Sequence, residues 1–143
     1  MLVLSARCSG TDEIPLDRAE QSSTFYSFIA ANAIDKDLTT KSKTVSEYPA
    51  WLRVYFLNSS NVGQVVIELG RSYHASCVYT VSVYDGVAET VCGTYTGKKG
   101  HYYNETVQCG GNRGDSVRLG QSVCTKHLNV REIKVYGQLQ GKY

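Results

Sequence analysis

Val78-Tyr79-Thr80-Val81-Ser82-Val83-Tyr84 is the stretch that decides the fold. Apolar or aromatic side chains alternate there with smaller polar ones, and Asp85-Gly86 supplies a turn at once. Period two marks a strand with one face in a core, whereas a helix would repeat at three and four. Working outward, the signature recurs. Trp51 to Leu57 is rich in aromatic and β-branched residues, and Val62 to Leu69 is a second run closed by Gly70. Thr90 to Thr96 follows, turned by Gly97 to Gly100; Tyr102 to Val107, Ser116 to Leu119 and Val130 to Tyr136 complete the set. Short strands at near-regular spacing with glycine-bearing turns predict an all-β sandwich or barrel. No long amphipathic helix is written anywhere in the chain.

A chain of 143 residues is one domain, able to bury a single core without a metal or disulfides. Its 42% hydrophobic content is ordinary for a globular protein, and 20% charged residues give no sign of disorder. The net charge of +2 is carried by scattered Arg and Lys, so no basic stripe points to nucleic acid. No apolar run reaches membrane-spanning length, and no membrane insertion is expected. Met1 to Leu4 is apolar, but Arg7 and Cys8 follow too soon for a complete secretory signal. The expectation is a module of a longer secreted protein, or a chain without its leader.

Five cysteines, Cys8, Cys77, Cys92, Cys109 and Cys124, lack the spacings of a zinc site. N-glycosylation acceptors stand at Asn58 and Asn104. Together they predict an oxidised glycoprotein, secreted or on the cell surface.

Ala19 to Thr24 reads as a short polar strand or turn leading into Phe25-Tyr26, and a helical turn spans Phe28 to Ile34. Next comes the densest chemistry in the chain, Ala30-Ala31-Asn32-Ala33-Ile34-Asp35-Lys36-Asp37-Leu38-Thr39-Thr40. Carboxylate, carbonyl and hydroxyl oxygens this close suit a hard cation such as calcium. The loop glycine and closing glutamate of an EF-hand are missing. A capped turn with solvated acids is the other local reading.

Lys41 to Pro49 reads as an exposed loop. No catalytic pattern emerges. His74, His101 and His127 have no cysteine or acid at catalytic spacing, and no serine sits in a Gly-x-Ser-x-Gly elbow. An enzyme is therefore not expected. The 11 tyrosines mostly alternate within strands, as core or cross-strand partners would. Arg113-Gly114-Asp115 spells an integrin-type tripeptide, yet Gly114 and Asp115 can equally serve a turn before a strand.

Three ordered segments, Ala19-Glu20-Gln21-Ser22-Ser23, Ala31-Asn32-Ala33-Ile34-Asp35 and Pro49-Ala50-Trp51-Leu52-Arg53-Val54, resemble the discoidin and coagulation-factor type C domains. Cys92-Gly93-Thr94 and Cys109 make the fucolectin (F-type lectin) branch the nearer likeness. Gly114-Asp115-Ser116-Val117-Arg118-Leu119 and the run Leu128 to Gly137 fit its closing strands. The likeness covers roughly residues 14 to 137, leaving 1–13 as an N-terminal segment and 14–143 as a single domain. It implies an eight-stranded β-sandwich jelly-roll of the galactose-binding type.

It also implies calcium. Carried over by position, Asn32 and Asp37 give backbone carbonyls, Asp35 and Glu132 carboxylates, Thr40 a hydroxyl or carbonyl oxygen, and Arg131 its carbonyl. Two carboxylates with neutral oxygens suit calcium better than magnesium. A family disulfide between the loop and the last strand is replaced here by Lys41 and Arg131. Cys92 and Cys109 match the family's other bridge. Cys77 and Cys124 remain, and the antiparallel strands ending at Leu69 and starting near Arg131 would bring their loops together, so they are expected to pair. Cys8 is then free, bridged to a partner chain, or in competition for Cys124.

Fucose recognition in that family rests on a loop histidine and a later Arg-x-Asp with a further basic residue. The aligned positions here are Lys43 and Arg71-Ser72-Tyr73. Each lost polar contact costs about 1–3 kcal/mol, which puts fucose specificity in doubt. Lys43, Arg71, Tyr73 and His74 still offer donors and an aromatic face to another glycan or an anionic group. The functional expectation is an extracellular calcium-stabilised adhesion module for a glycan or glycoprotein. Its rival is a structural spacer, with neighbouring domains of a larger extracellular protein as partners.

Overall fold

The computed structural model describes residues 12–70, 77–97 and 103–139. Eight antiparallel strands are present among them. In chain order they are β1 (Asp12–Glu13), β2 (Leu16–Gln21), β3 (Ser42–Lys43) and β4 (Ala50–Leu69), then β5 (Val78–Asp85), β6 (Ala88–Thr96), β7 (Tyr103–Ser122) and β8 (Asn129–Leu139). A 3-10 turn, Ala30–Ala33, lies between β2 and β3. The all-β jelly-roll expected from the sequence is what the chain forms.

Two long strands hold it together. The first half of β4 pairs with β2 and with residues 116–121 of β7, while its second half pairs with β8 and with residues 103–114 of β7. β5 and β6 extend the first half; β1 and β3 join β8 beside the second. At the corner, residues 56–59 of β4 stand against Asp115 alone, an irregularity that lets one strand serve both faces of the core. Ala50, Leu52, Val54 and Phe56 are buried before the corner, and Val65, Ile67 and Leu69 after it. The change from even to odd positions falls at the register shift between Val62 and Gln64, so both halves keep their apolar face inward.

Three sequence expectations are corrected here. Trp51 to Leu57 and Val62 to Leu69 are one strand, because Asn58-Ser59-Ser60 stays extended while the ladder changes partner. Tyr102 to Val107 and Ser116 to Leu119 likewise belong to a single strand, β7. Arg113-Gly114-Asp115 is therefore no protruding turn: Arg113 pairs with Asn61 and Gly114 with Ser60. A Cβ at Gly114 would collide with Val83 and with the Tyr84 carbonyl, and the Asp115 carboxylate accepts the Gly86 amide at 2.8 Å.

Two disulfides brace the sandwich, Cys77–Cys124 and Cys92–Cys109, the pairs expected from the sequence. Cys109 begins the bulge in which Cys109-Gly110-Gly111 faces Gly63 alone, with Gly110 and Gly111 at φ 65° and 84°. Cys8 lies outside the described residues. Asn58 and Asn104 are both exposed. No helix among the described residues is long and apolar enough to cross a membrane.

Candidate functional site

The acidic loop runs from the 3-10 turn to β3. Lys36 takes φ 61°, a left-handed conformation that costs a non-glycine residue about 1–2 kcal/mol. That geometry lets the Lys36 backbone N–H donate to Glu132 Oε2 at 3.1 Å, tying the loop to β8. The Asp37 amide donates to Asp35 Oδ1 at 3.0 Å, and the Asp37 carboxylate accepts the Thr39 amide and hydroxyl at 2.9 and 2.6 Å. Those bonds hold the Asp37 carboxyl below its ordinary range and commit it to the turn. Its carbonyl is a different matter. Thr40 Oγ1 lies 2.6 Å from Asp35 Oδ2, 3.0 Å from the Asp37 carbonyl and 3.3 Å from the Asn32 carbonyl. One hydroxyl proton can satisfy only one of those three acceptors.

Glu132 closes the cluster. It is 2% exposed, and its Oε1 is shielded from solvent with no hydrogen-bond partner. Burial above all, with the Asp35 charge adding to it against the Lys36 amide bond, pushes its carboxyl up to about 7. An orphaned carboxylate oxygen beside an oxygen-rich turn fits a calcium ion, which takes six to eight oxygens. Among the described residues no three His, Cys, Asp or Glu side chains converge, so a cation here would have at most Asp35 and Glu132 as charged donors. Arg131 sits at the β-bulge between Glu68 and Leu69; its Nε donates to the Leu69 carbonyl at 3.1 Å and its Nη2 lies 3.7 Å from Glu68. Outside the cluster, Lys36 Nζ pairs with Glu13 at 2.7 Å.

At one end of the sandwich the connections meet. Phe25 donates its amide to the Lys43 carbonyl at 2.9 Å, and Lys43 donates its own to the Phe28 carbonyl at 3.1 Å. Lys43 Nζ lies 4.9 Å from the Phe25 ring centre and 5.9 Å from that of Phe28; Lys41 Nζ covers Phe28 at 5.2 Å. Burial, with Lys41 adding its charge, lowers the Lys43 ammonium from its usual range. His127 packs on Phe25 with ring centres 4.7 Å apart, and its Nδ1 is 2.7 Å from the Thr44 carbonyl. A carbonyl only accepts, so Nδ1 carries the proton, which makes Nε2 of the neutral ring an acceptor. Tyr26 stands beside this cluster, 82% exposed and at φ 53°. Aromatic faces, an ammonium and an imidazole acceptor are the groups that bind polar rings.

Of the expected ligand residues, Lys43 is in this cluster, while Arg71, Tyr73 and His74 lie outside the described residues. The sequence reading missed Phe25, Phe28 and His127. Their only local signal is the aromatic cluster after Ser22-Ser23-Thr24, and nothing in the chain announces that His127 returns to it.

A family profile described as a NedA-like, galactose-binding domain of the F5/F8 type C group matches residues 32–119. No curated protein sequence matches the chain. Among solved structures, a fucolectin from striped bass (Morone saxatilis) serum is similar at TM-score 0.76 and 23% identity, over 85% of this chain. This chain spans 45% of that fucolectin's length. The family 32 carbohydrate-binding module of C. perfringens NanJ, solved with galactose, is similar at TM-score 0.76 and 18% identity, covering 87% of this chain and 98% of its own. A fucose-binding module of Streptococcus pneumoniae follows at TM-score 0.68 and 18% identity, with 85% and 94% covered.

Proposed function

The chain belongs to the F5/F8 type C family as a NedA-like, galactose-binding domain, and on that premise we propose that it is an extracellular, calcium-stabilised module that binds a glycan without transforming it. The observation that carries the reading is the loop-end cluster. Lys43 over two phenylalanine rings, His127 with a free acceptor nitrogen and an exposed Tyr26 offer a donor, an acceptor and an aromatic face together. A polar sugar ring can use all three. The solved structures of similar fold, a fucolectin, a galactose-bound carbohydrate-binding module and a fucose-binding module, support the same class of ligand. Two disulfides and two exposed sequons support an oxidising, extracellular setting.

Calcium has a structural part in this reading. Asp35 and Glu132 would supply charge, with Asn32 and Asp37 carbonyls and Thr40 Oγ1 as neutral oxygens. Bound there, the ion would clip the acidic loop to β8 and neutralise the buried carboxylate.

A glycan array tests the function. Several related neutral glycans, Gal- or GalNAc-bearing or fucosylated, should be retained, and Lys43→Ala should weaken each at least tenfold. A silent array, with the protein folded and calcium present, overturns the lectin reading in favour of a structural spacer for neighbouring domains.

A further inference from the structure

The outer face of the sheet formed by β2, β4, β7, β5 and β6 carries chemistry that neither the acidic loop nor the loop end uses. Arg53 of β4 and Arg118 of β7 are directly opposite in the register. Like charges so placed destabilise a sheet. Arg53 is compensated: it stacks on Tyr84 at 4.2 Å, its Nε donates to Ser116 Oγ at 2.9 Å, and Asp115 lies 3.9 Å away. Arg118 is not. It stacks on Trp51 at 5.3 Å and its Nη1 donates to the Tyr84 hydroxyl at 3.3 Å, yet it has no carboxylate partner among the described residues. Its Nε is shielded from solvent and has no acceptor at all.

Space lies beside this uncompensated cation. Gly120, next on the same face, has no side chain, and a Cβ there would meet nothing closer than the Thr80 carbonyl at 3.9 Å. Two depressions share Arg118. One, of about 160 Å³, is lined by Trp51, Arg53 and Arg118. The other, of about 190 Å³, runs over Gly120 past Thr80, Ser82 and Glu89.

We propose that this groove is a second carbohydrate site, selective for an acidic pyranose whose carboxylate lies between Arg53 and Arg118 and whose ring rests against Trp51. An anion there offsets the arginine repulsion and the desolvated guanidinium, and arginine is the cation whose planar fork matches a carboxylate. Hydroxyls of the sugar reach Thr80, Ser82 and Glu89. The Glu89 carboxylate disfavours a ligand charged on every residue, so a single acidic sugar is preferred to a polyanion. The site shares none of the loop-end residues.

Trp51 is the chain's only tryptophan, so its fluorescence and indole N–H resonance report this groove alone. Methyl glucuronide should change both saturably, while methyl glucoside binds at least tenfold more weakly and sodium acetate does not saturate over the same range. Arg118→Gln should weaken glucuronide at least tenfold, and Lys43→Ala should leave it unchanged. Should Arg118→Gln melt early, Arg53→Gln supplies the same measurement. No response of Trp51 to glucuronide, an equal response to acetate, or its loss in Lys43→Ala each overturns the proposal. A silent array of neutral glycans with the Trp51 response intact defeats the loop-end reading and leaves this one standing.

Discussion

The acidic loop and the loop end build sites from connections in opposite ways. In the acidic loop, Asn32, Asp35, Asp37 and Thr40 come from one short stretch, and a single distant residue, Glu132, completes the cluster. The loop end is assembled from pieces far apart in the chain: Phe25 and Phe28 before β3, Lys43 on it, His127 before β8. One is a local turn needing a long-range clip. The other is entirely long-range, and its geometry depends on whatever holds those connections together. The difference predicts that the two regions fail separately.

The largest effect should come from the Cys77–Cys124 bridge, which spans 47 residues and anchors the connection leading to Lys126 and His127. Chain-entropy reasoning gives about 4 kcal/mol for a loop of that size. Replacing both cysteines by serine should cost that order of stability in urea and abolish glycan retention at the loop end. The calcium response of the acidic loop should survive. If both are lost together while the protein remains folded, the regions are not independent and the comparison breaks.

Calcium is the reciprocal lever. At a hundredfold excess over Kd an ion that binds only the folded form stabilises it by about 2.7 kcal/mol. Chelator should therefore lower Tm and added calcium restore it. Asp35→Asn and Glu132→Gln should each remove most of that shift; the metal-free Tm should change little in the first and rise near neutral pH in the second, where no buried carboxylate has to ionise. A wild-type Tm indifferent to both chelator and calcium would reduce the acidic loop to a capped turn.

The same contrast explains what could be read from the sequence. Period two at 78–84 gave β5 because alternation needs only local geometry. The acidic loop was legible for the same reason: its donors are neighbours. Glu132, and the pairing of the cysteines, needed the ordered likeness to a known family, since no local rule brings residue 132 to residue 35. Asn58 to Asn61 falls between the two runs read from the sequence because it is polar, yet extended backbone continues wherever a ladder partner is offered. The facing of Arg53 and Arg118 exists only in the register of β4 against β7, which no single stretch encodes.

A smaller effect separates the metal-free and calcium-bound forms of the acidic loop by pH. Burial pushes the Glu132 carboxyl up to about 7 in the folded protein, from an ordinary value of 4.5. A raised carboxyl stabilises the folded state below the unfolded pKa, and that contribution is lost as pH rises from about 4.5 through 7. In chelator, stability should thus fall by about 1–2 kcal/mol over that window, with water relaxation at the site allowed for. Glu132→Gln should flatten the slope. With saturating calcium the carboxylate is compensated, and the fall should shrink or reverse. A wild-type protein whose stability in chelator is flat from pH 4.5 to 7 would remove Glu132 from the account.

The smallest effect sharpens the loop-end side. Val123 is 63% exposed and sits at φ 66°, a left-handed conformation that a β-branched residue rarely adopts. It directly precedes Cys124 of the Cys77–Cys124 bridge. Glycine there relieves about 1–2 kcal/mol of steric strain but adds about 0.5–1 kcal/mol of unfolded-chain entropy. Little apolar burial is lost, because the side chain already faces solvent. Val123→Gly should therefore raise stability slightly, by about 0.5–1 kcal/mol. Read beside the glycan array, this substitution separates two uses of the strain. Unchanged glycan retention with a raised Tm makes it incidental to binding. Weakened retention with a raised Tm means that the stiff valine holds the 123–127 connection, and with it His127, in the shape the ligand requires.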